Sequence, residues 1–302
     1  MARRRNSISG LALSRDAVCL AQFLPEERLV ANVSIQPVEE PGGDILDAAA
    51  GGLKDLVRAA KLGGESIVCS LPGEYAVIRK IPLDSDEPNI GEALEWEFSQ
   101  QIIGSRDEYV FDFEKLAGTS QQGQDQFLVV GYRSEAVDRM SHLLRSNKLN
   151  PLIVDLDIFA LINVFEANYD EASVPAALVI AGEKVSKCVL SAQGAFLDME
   201  TVAHEAEMQS PQSYGTLIEQ GLGKLLACNP GVALRESLPV YFTGSLLAER
   251  DYADEVTKAV PKAELLYPFR KLDCGAGMPE EELRKYSPQL AVAVGLALRG
   301  AD

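Results

Sequence analysis

The chain has 302 residues, 47% of them hydrophobic, and carries 28 Lys and Arg against 45 Asp and Glu, for a net charge of −17. This size and apolar content suffice for two domains with buried cores, whereas the acidic balance argues against the positively charged surface that nucleic-acid binding requires. No run reaches the ~18 consecutive apolar residues of a membrane span, and no apolar segment follows Arg3, Arg4 and Arg5 to make a signal peptide, so we expect a cytoplasmic protein with a solvated N-terminus.

The N-terminal block predicts three strands, a helix and a further strand. Alternating apolar and polar residues separated by turns predict an antiparallel meander over 7–14, 17–24 and 28–38. Apolar residues at helical spacing behind a capping Asp44 predict a helix over 44–62. An apolar run over 65–73 then predicts a buried strand.

The middle block predicts a compact β-α-β-β-α module. Its strands are expected over 75–83, 108–116 and 126–133, and its helices over 89–103 and 134–149. The module begins after one apolar strand and ends before another, which starts at Pro151 and leads into a helix. This placement is typical of an inserted subdomain.

The C-terminal block repeats the opening pattern after about 170 residues. Three more strands are expected over 176–183, 184–192 and 194–202. They are followed by a helix, a strand, a helix, a short strand and a closing apolar helix, over 213–229, 238–244, 251–260, 263–268 and 288–298.

Two related lobes, each led by a strand meander, predict an α/β chain with the two-lobed actin-like (ribonuclease H-like) fold. The first lobe is assigned to residues 1–76 and 149–170. The inserted β-α-β-β-α subdomain is assigned to 77–148, and the second lobe to 171–302.

The residue types that usually build metal centres are few and scattered. There is no C-x-x-C pair, and four cysteines stand in apolar runs that predict buried side chains: Cys19, Cys69, Cys188 and Cys228. The two histidines, His142 and His204, are far apart in sequence. This separation favours polar positions on helix surfaces over a metal site or a catalytic triad.

Four stretches resemble the PilM family, the cytoplasmic actin-like component of type IV pilus assembly. They read "LPGEYAVIRKIPL" from Leu71, "EALEWEFSQQIIGSRDEYVFDFEKL" from Glu92, "FLVVGYRSEAVDRMSHLLRSNKLNPLIVDLDIFALINVF" from Phe127 and "SPQLAVAVGLALR" from Ser287. The inserted module at this position resembles that of the related cell-division protein FtsA. The resemblance implies the actin-like fold along nearly the whole chain.

An actin-type nucleotide site needs backbone amides around the phosphates and an Asp in each of two hairpins to organise magnesium. The family's first hairpin reads roughly Gly-Ile-Asp-Ile-Gly, and this chain has Ala12 at the Asp position and Ser14 at the second Gly position. The second hairpin reads Asp-Ile-Gly in the family. Here Ile180 replaces the Asp, while Gly182 is kept. The resemblance thus implies a site that has lost both carboxylates.

The adenosine turn of the family is Gly-Gly, and this chain keeps Gly244 but has Ser245 in the second position. Asp16, Asp155 and Asp157 could be considered as replacement carboxylates. Their patterns favour a turn residue for the first and strand positions for the other two. We therefore expect a pseudo-ATPase with no catalytic residue, no metal and no cofactor, ATP with magnesium being the alternative.

The resemblance also implies a partner. PilM-like proteins hold the N-terminal cytoplasmic peptide of the inner-membrane protein PilN in a groove between the first lobe and the inserted module. Through PilN they connect to PilO, PilP and the pilus motor proteins at the inner membrane face. The residues expected to line such a groove are Leu71, Arg79, Trp96, Gln100 and Tyr109. For Trp96, packing beneath the module's sheet remains the other interpretation, and self-association stays open.

Two other functions are kept as alternatives. One is an ATP-binding actin-like ATPase, which intact Asp and Gly residues in the hairpins would indicate. The other is a component similar to the GspL cytoplasmic domain of type II secretion, in which the actin-like part is expected to continue into a membrane helix.

Overall fold

The structure is a computed structural model that describes residues 7–38, 43–71, 73–116, 123–182, 184–204, 210–275 and 278–301. The arginines at positions 3 to 5 lie outside these ranges. Over the described residues the strands are β1 (Ile8–Leu13), β2 (Ala17–Leu24), β3 (Leu29–Pro37), β4 (Ser66–Leu71), β5 (Ala76–Asp84), β6 (Tyr109–Lys115), β7 (Gln124–Arg133), β8 (Asn150–Leu156), β9 (Ala176–Ile180), β10 (Val185–Ala192), β11 (Ala195–Ala203), β12 (Val240–Thr243), β13 (Ala263–Leu265) and β14 (Asp273–Cys274). The helices are α1 (Ile45–Ala59), α2 (Ile90–Ser99), α3 (Ser134–Ser146), α4 (Asp157–Asn168), α5 (Pro211–Cys228), α6 (Arg250–Ala259) and α7 (Glu280–Arg299).

The two large sheets share the order of five strands, and the first sheet has β14 as a sixth strand at its edge. The first runs β14-β3-β2-β1-β4-β8, and the second runs β11-β10-β9-β12-β13. In each, three strands form an antiparallel meander, and the next strands run parallel to the first strand of that meander. The predicted echo of the first lobe in the second is confirmed.

The inserted subdomain is a three-stranded antiparallel sheet of order β5-β7-β6, with α2 on one face. Leu94 and Phe98 of α2 are buried against this face. A Cβ at Gly131 would lie 2.2 Å from the Phe98 ring, so only glycine admits that ring against β7. The predicted order β-α-β-β-α is confirmed, and α3 packs on β8, β4 and α1 of the first lobe.

The C-terminal segment returns to the first lobe. The strand β14 pairs in parallel with β3, although its residues had been assigned to the second lobe. The helix α7 packs against β1, β2 and α4. It also packs against the short 3-10 helix Ser245–Ala248, which follows β12 in the second lobe. It begins at Glu280, where three glutamates behind Pro279 indicate a first helical turn, and continues through Pro288 into the apolar helix predicted over 288–298. The hydroxyl of Ser287 donates to the carbonyl of Arg284, which Pro288 leaves without its helical donor.

Two predictions about single side chains are wrong. Cys228 is exposed at the end of α5, because the face of this helix that meets the core carries Leu222 and Leu225. His204 is buried directly after β11, whereas His142 is exposed on α3 as expected. In the described part of the chain, no helix is both long enough and apolar enough to cross a bilayer.

Candidate functional site

The first hairpin is closed by its own serine. The Oγ of Ser14 donates to the carbonyl of Ala17 over 3.0 Å and accepts from the N–H of Ala17 over 3.1 Å. Ala12, the residue at the expected Asp position, packs its methyl group against the core. The turn between β1 and β2 is thus satisfied internally, and the side chain at position 12 offers no oxygen to a cation.

The second hairpin is apolar at the matching place. Ile180, the last residue of β9, packs against the main core. A Cβ at Gly182 would lie 2.5 Å from the carbonyl oxygen of Val185, so the tight turn itself requires this glycine. The N–H of Gly182 donates to the hydroxyl of Ser186 over 3.3 Å.

The turn after β12 joins the two lobes. Gly244 has φ 117°, and a Cβ there would lie 2.1 Å from the carbonyl oxygen of Ala181. The next residue, Ser245, donates its hydroxyl to the carboxylate of Asp16 in the first hairpin. The two hairpins and the turn after β12, the three segments of the expected nucleotide site, therefore meet. The hydrogen bond between Ser245 and Asp16 spans the cleft between the lobes.

A second contact crosses between the lobes. Lys187 on β10 lies 2.5 Å from the carboxylate of Asp157 at the start of α4, and the two side chains are only 13% and 18% exposed. Among the described residues, no three His, Cys, Asp or Glu side chains come together in a way that could hold a metal ion.

A cavity of about 770 Å³ lies between the inserted sheet and the first lobe, and we call it the β6 groove. Its floor comes from α4 and the end of β8, one wall from the face of β6 and β7 opposite α2, and one end from the turn before β11 and from Arg299. The lining residues used below are Val110, Asp112, Glu114, Tyr132, Asp155 and Asn163.

The strand β6 is an edge of its sheet and directs part of its main chain away from β7. The N–H of Leu116 donates to the carbonyl of Gln126 over 2.8 Å. Since antiparallel pairs alternate, the main-chain groups of every second residue before Leu116 face β7, and those of Phe111 and Lys115 point away from it. Two neighbours are capped locally, because Asp112 accepts from the N–H of Phe113 and Arg106 donates to the carbonyl of Tyr109.

Two buried side-chain atoms at the floor of the β6 groove have no hydrogen-bond partner among the described residues. The Oδ1 of Asp155 accepts from the N–H of Leu156 over 2.7 Å, but its Oδ2 is buried with no hydrogen-bond partner among the described residues. The Nε of Arg299 forms an ion pair with this Oδ2 at 3.6 Å, a distance beyond hydrogen-bond length. Burial raises the pKa of Asp155. The amide Nδ2 of Asn163 is likewise buried without a partner in the described part of the chain.

The five predicted partner residues do not converge on this groove. Leu71 is fully buried at the end of β4, and Tyr109 is 5% exposed and packs edge-to-face on Phe98, so a docked peptide cannot touch either side chain. Arg79 on β5, Trp96 on α2 and Gln100 after α2 are exposed, and Trp96 is 61% exposed instead of packing beneath the sheet. Whether these three bind a partner stays a prediction.

The residues that do line the β6 groove carried a weak sequence signal. Asp155 stands as a carboxylate inside an apolar run, and Asn163 is a polar residue within an apolar helix. Both patterns are visible in the sequence, but only the fold shows that the two side chains open into the same cavity.

Solved structures of similar fold place the chain in one class. It is similar to a protein of a "PilM-PilN type IV pilus biogenesis complex", with a TM-score of 0.78, 22% identity and 99% of both chains covered. It also resembles the cytoplasmic domain of EpsL, an inner membrane component of the type II secretion system of Vibrio cholerae, with a TM-score of 0.50, 10% identity and 92% of both chains covered. The chain is also similar to the ethanolamine utilization protein EutJ from Carboxydothermus hydrogenoformans, with a TM-score of 0.52, 10% identity, and 96% of this chain and 88% of EutJ covered.

The repeated sheets and these similarities define a two-lobed protein of the actin-like fold. No curated protein sequence matches the chain significantly. The family described as "Type IV pilus assembly protein PilM" matches residues 27–180, just over half of the 302 residues. The chain belongs to this PilM family.

Proposed function

We propose that this chain is a cytoplasmic scaffold of type IV pilus assembly that binds the N-terminal cytoplasmic peptide of a PilN-like inner-membrane protein in the β6 groove. Its membership of the PilM family supports the assembly role, and the similarity in fold to a PilM-PilN complex supports the partner. The observation that carries the proposal is the cavity of about 770 Å³ beside a strand edge whose main chain is turned outward.

The peptide binds as an added strand. The outward N–H and C=O groups of Phe111 and Lys115 pair with an extended main chain, and the side chains of the peptide enter the cavity beside Val110 and Tyr132. Val110 is more than half exposed, and burying it gives the complex apolar area. Through PilN the scaffold connects to PilO, PilP and the motor proteins, as a peripheral protein at the inner membrane face.

The same proposal makes the chain a pseudo-ATPase. An ATP–magnesium complex held between the hairpins needs oxygen atoms near positions 12 and 180, and Ala12 and Ile180 carry none in their side chains. It also needs open space beside the turn after β12, where Ser245 donates to Asp16. The residues present do not fit this group, so we assign no catalytic step to it.

Calorimetric titration tests the proposal. The probe is a synthetic peptide of the first 20 or so residues of the PilN-like protein from the same organism, and we expect micromolar binding, about −8 kcal/mol. Magnesium and ATP, titrated separately, should give no heat. A peptide without binding, or a clear nucleotide signal, contradicts the corresponding half of the proposal.

A matched pair of variants tests the strand-addition mode. Lys115→Pro removes an outward N–H that β7 does not use, a position at which an edge strand tolerates proline. Lys115→Ala removes the same side chain and its ion pair with Asp125 but keeps the N–H. We expect the proline variant to lose at least about tenfold in affinity and the alanine variant to bind as the wild type. Equal affinities would mean that the peptide does not pair with β6.

A further inference from the structure

We infer that the β6 groove selects a peptide carrying a lysine or arginine, whose cationic group is received by the Asp155 carboxylate after passing Asp112 and Glu114 at the rim. The inference rests on the proposed function, because it assumes that a peptide occupies this groove. It adds the chemical character of the occupant.

The floor of the groove contains a carboxylate oxygen that receives no hydrogen bond from the described residues. The Oδ2 of Asp155 is buried with no hydrogen-bond partner among the described residues, and a buried carboxylate oxygen left in that state is costly. The guanidinium of Arg299 is half exposed and forms an ion pair with this oxygen at 3.6 Å, which is too long for a hydrogen bond. An ammonium or guanidinium group from the peptide completes the coordination of Asp155 and makes the charge-assisted hydrogen bond that the fold leaves open.

The rim adds negative charge of its own. The side chains of Asp112 and Glu114 alternate with those of Tyr109 and Phe111, which pack on the α2 side of the sheet. Both carboxylates therefore lie on the opposite face, which lines the groove, and both are exposed. Among the described residues neither has an ion pair. The cation next to them, Lys115, is 2.6 Å from Asp125 and is therefore already neutralised. Asp112 and Glu114, together with Asp155, whose charge Arg299 offsets in part, attract a basic peptide and repel an acidic one.

The neighbouring amide fits an extended main chain. The Nδ2 of Asn163 is a buried donor with no partner in the described part of the chain, and it opens into the same cavity. A peptide carbonyl oxygen satisfies it, whatever the side chain of that residue. Asn163 thus binds the main chain of the peptide, while Asp155 selects a positively charged side chain.

The source of such a peptide follows from membrane topology. Cytoplasmic segments within about 15–20 residues of a membrane span carry an excess of Lys and Arg. A short tail of an inner-membrane protein therefore has the charge that this groove requires, and a chain with net charge −17 has the opposite charge.

The test uses the 20-residue N-terminal peptide of the PilN-like protein and copies of it in which each Lys or Arg is replaced by Gln. One replacement should weaken binding to the wild-type chain at least tenfold, and the others less. Two variants of the chain test the carboxylates that would bind this cation. Asp155→Asn should lower the affinity for the unchanged peptide at least tenfold. The double variant Asp112→Asn with Glu114→Gln should lower it threefold to tenfold. Raising NaCl from 50 to 500 mM should weaken the wild type more than the double variant.

The matched control is Asp86→Asn with Glu92→Gln, the same change of charge on the α2 side of the inserted subdomain, away from the groove. It should bind as the wild type. Since the double rim variant changes only exposed residues, it remains informative if Asp155→Asn folds poorly. If the wild type binds no peptide, the proposed function fails. If it binds and every charge replacement leaves the affinity unchanged, or if the bound peptide has no Lys or Arg, the proposed function stands and this inference is wrong.

Discussion

Gly295 lies where α7 crosses α4 at main-chain distance. A Cβ built on it would be 1.8 Å from the carbonyl oxygen of Ala160, and on the other side of α7 a Cβ at Gly10 would be 2.1 Å from the carbonyl oxygen of Ala293. Because the obstacle is backbone, no side-chain rotation relieves it. We expect Gly295→Ala to lower the free energy of unfolding by about 3 kcal/mol or more, measured by urea denaturation.

The control is a helical glycine with free space around it. Gly223 in α5 has no atom within 4 Å of the place where a Cβ would stand. Alanine there should raise the free energy of unfolding by about 0.5–1 kcal/mol, because it favours the helix and restricts the unfolded chain. Equal losses in both variants would mean that close helix packing is not the reason for Gly295.

His204 is held in the second lobe in its neutral form. Its Nε2 lies 2.9 Å from the Oγ of Ser186, which is 3.0 Å from the hydroxyl of Tyr214, and burial lowers the pKa of His204. In the unfolded chain the ring titrates near pH 6.5. Below that pH the unfolded state takes up a proton that the folded state does not, so this contribution to stability is complete above about pH 6.5 and is lost as the pH falls.

The free energy of unfolding of the wild type should therefore fall more steeply between pH 7.5 and 5.5 than that of His204→Gln. The difference in slope is at most about 1.4 kcal/mol per pH unit, measured by urea denaturation at each pH. Asp155, whose pKa is raised, contributes equally to both proteins and cancels. Parallel curves would show that protonation of His204 is not linked to unfolding.

At the scale of elements, Tyr132 joins the inserted sheet to the first lobe. Its hydroxyl lies 3.2 Å from the carbonyl oxygen of Asp155 and 3.4 Å from that of Leu71, at the ends of β8 and β4. The ring is buried in the main core. We expect Tyr132→Phe to lower the free energy of unfolding by about 1 kcal/mol, because the ring is kept and the hydrogen bond is lost.

A second tyrosine provides the comparison for this measurement by urea denaturation. The hydroxyl of Tyr286, near the start of α7, makes no hydrogen bond with the described residues, and Tyr286→Phe should change stability by less than about 0.5 kcal/mol. The hydrogen bond of Tyr132 does not stabilise the junction if the two variants are equally stable.

Three edge strands share a local device. Asp112 on β6, Asp155 on β8 and Asp198 on β11 each accept a hydrogen bond from the N–H of the following residue, over 2.9, 2.7 and 2.9 Å. Such contacts occupy edge donors and place a charge beside them, which opposes uncontrolled strand pairing. On β6 the capping is incomplete, and this leaves the edge that the proposed peptide uses.

The elements that sequence patterns predict well are those long enough to show a period. The meanders, the inserted module and α5 follow from alternation and helical spacing. A two-residue strand such as β14 has no period to detect, and its pairing with β3 depends on a return of the chain to the first lobe. For α7 the apolar period covers only 288–298, and the continuity of the helix from Glu280 through Pro288 depends on Ser287, whose hydroxyl satisfies the carbonyl that the proline leaves open.

At the scale of the whole molecule, contacts between distant segments are what the sequence does not contain. The residue types at positions 12 and 180 can be recognised from the family pattern, but the hydrogen bond between Asp16 and Ser245 joins residues 229 positions apart. The β6 groove likewise takes its lining from several elements of the lobes and the inserted sheet. Its polar floor could be proposed only after the fold placed Asp155 and Asn163 in one cavity.

The ion pair between Lys187 and Asp157 makes the two lobes depend on each other. Both side chains are mostly buried, so Asp157→Asn leaves an ammonium group without its counter-charge in a site of low polarity. We expect this variant to lose about 2–3 kcal/mol of unfolding free energy in urea denaturation. Amide hydrogen exchange in β10 and at the start of α4 should increase, because the contact joins these two elements.

Removing both charges separates the ion pair from other effects of the substitution. In Lys187→Met with Asp157→Asn, no buried charge is left unpaired, and at least about half of the lost stability should return. With Lys187→Met measured as the second single variant, a positive coupling energy in the double-mutant cycle means that the side chains of Lys187 and Asp157 hold the two lobes together. A double variant no more stable than Asp157→Asn alone, or a single variant as stable as the wild type, would show that the contact does not couple the lobes.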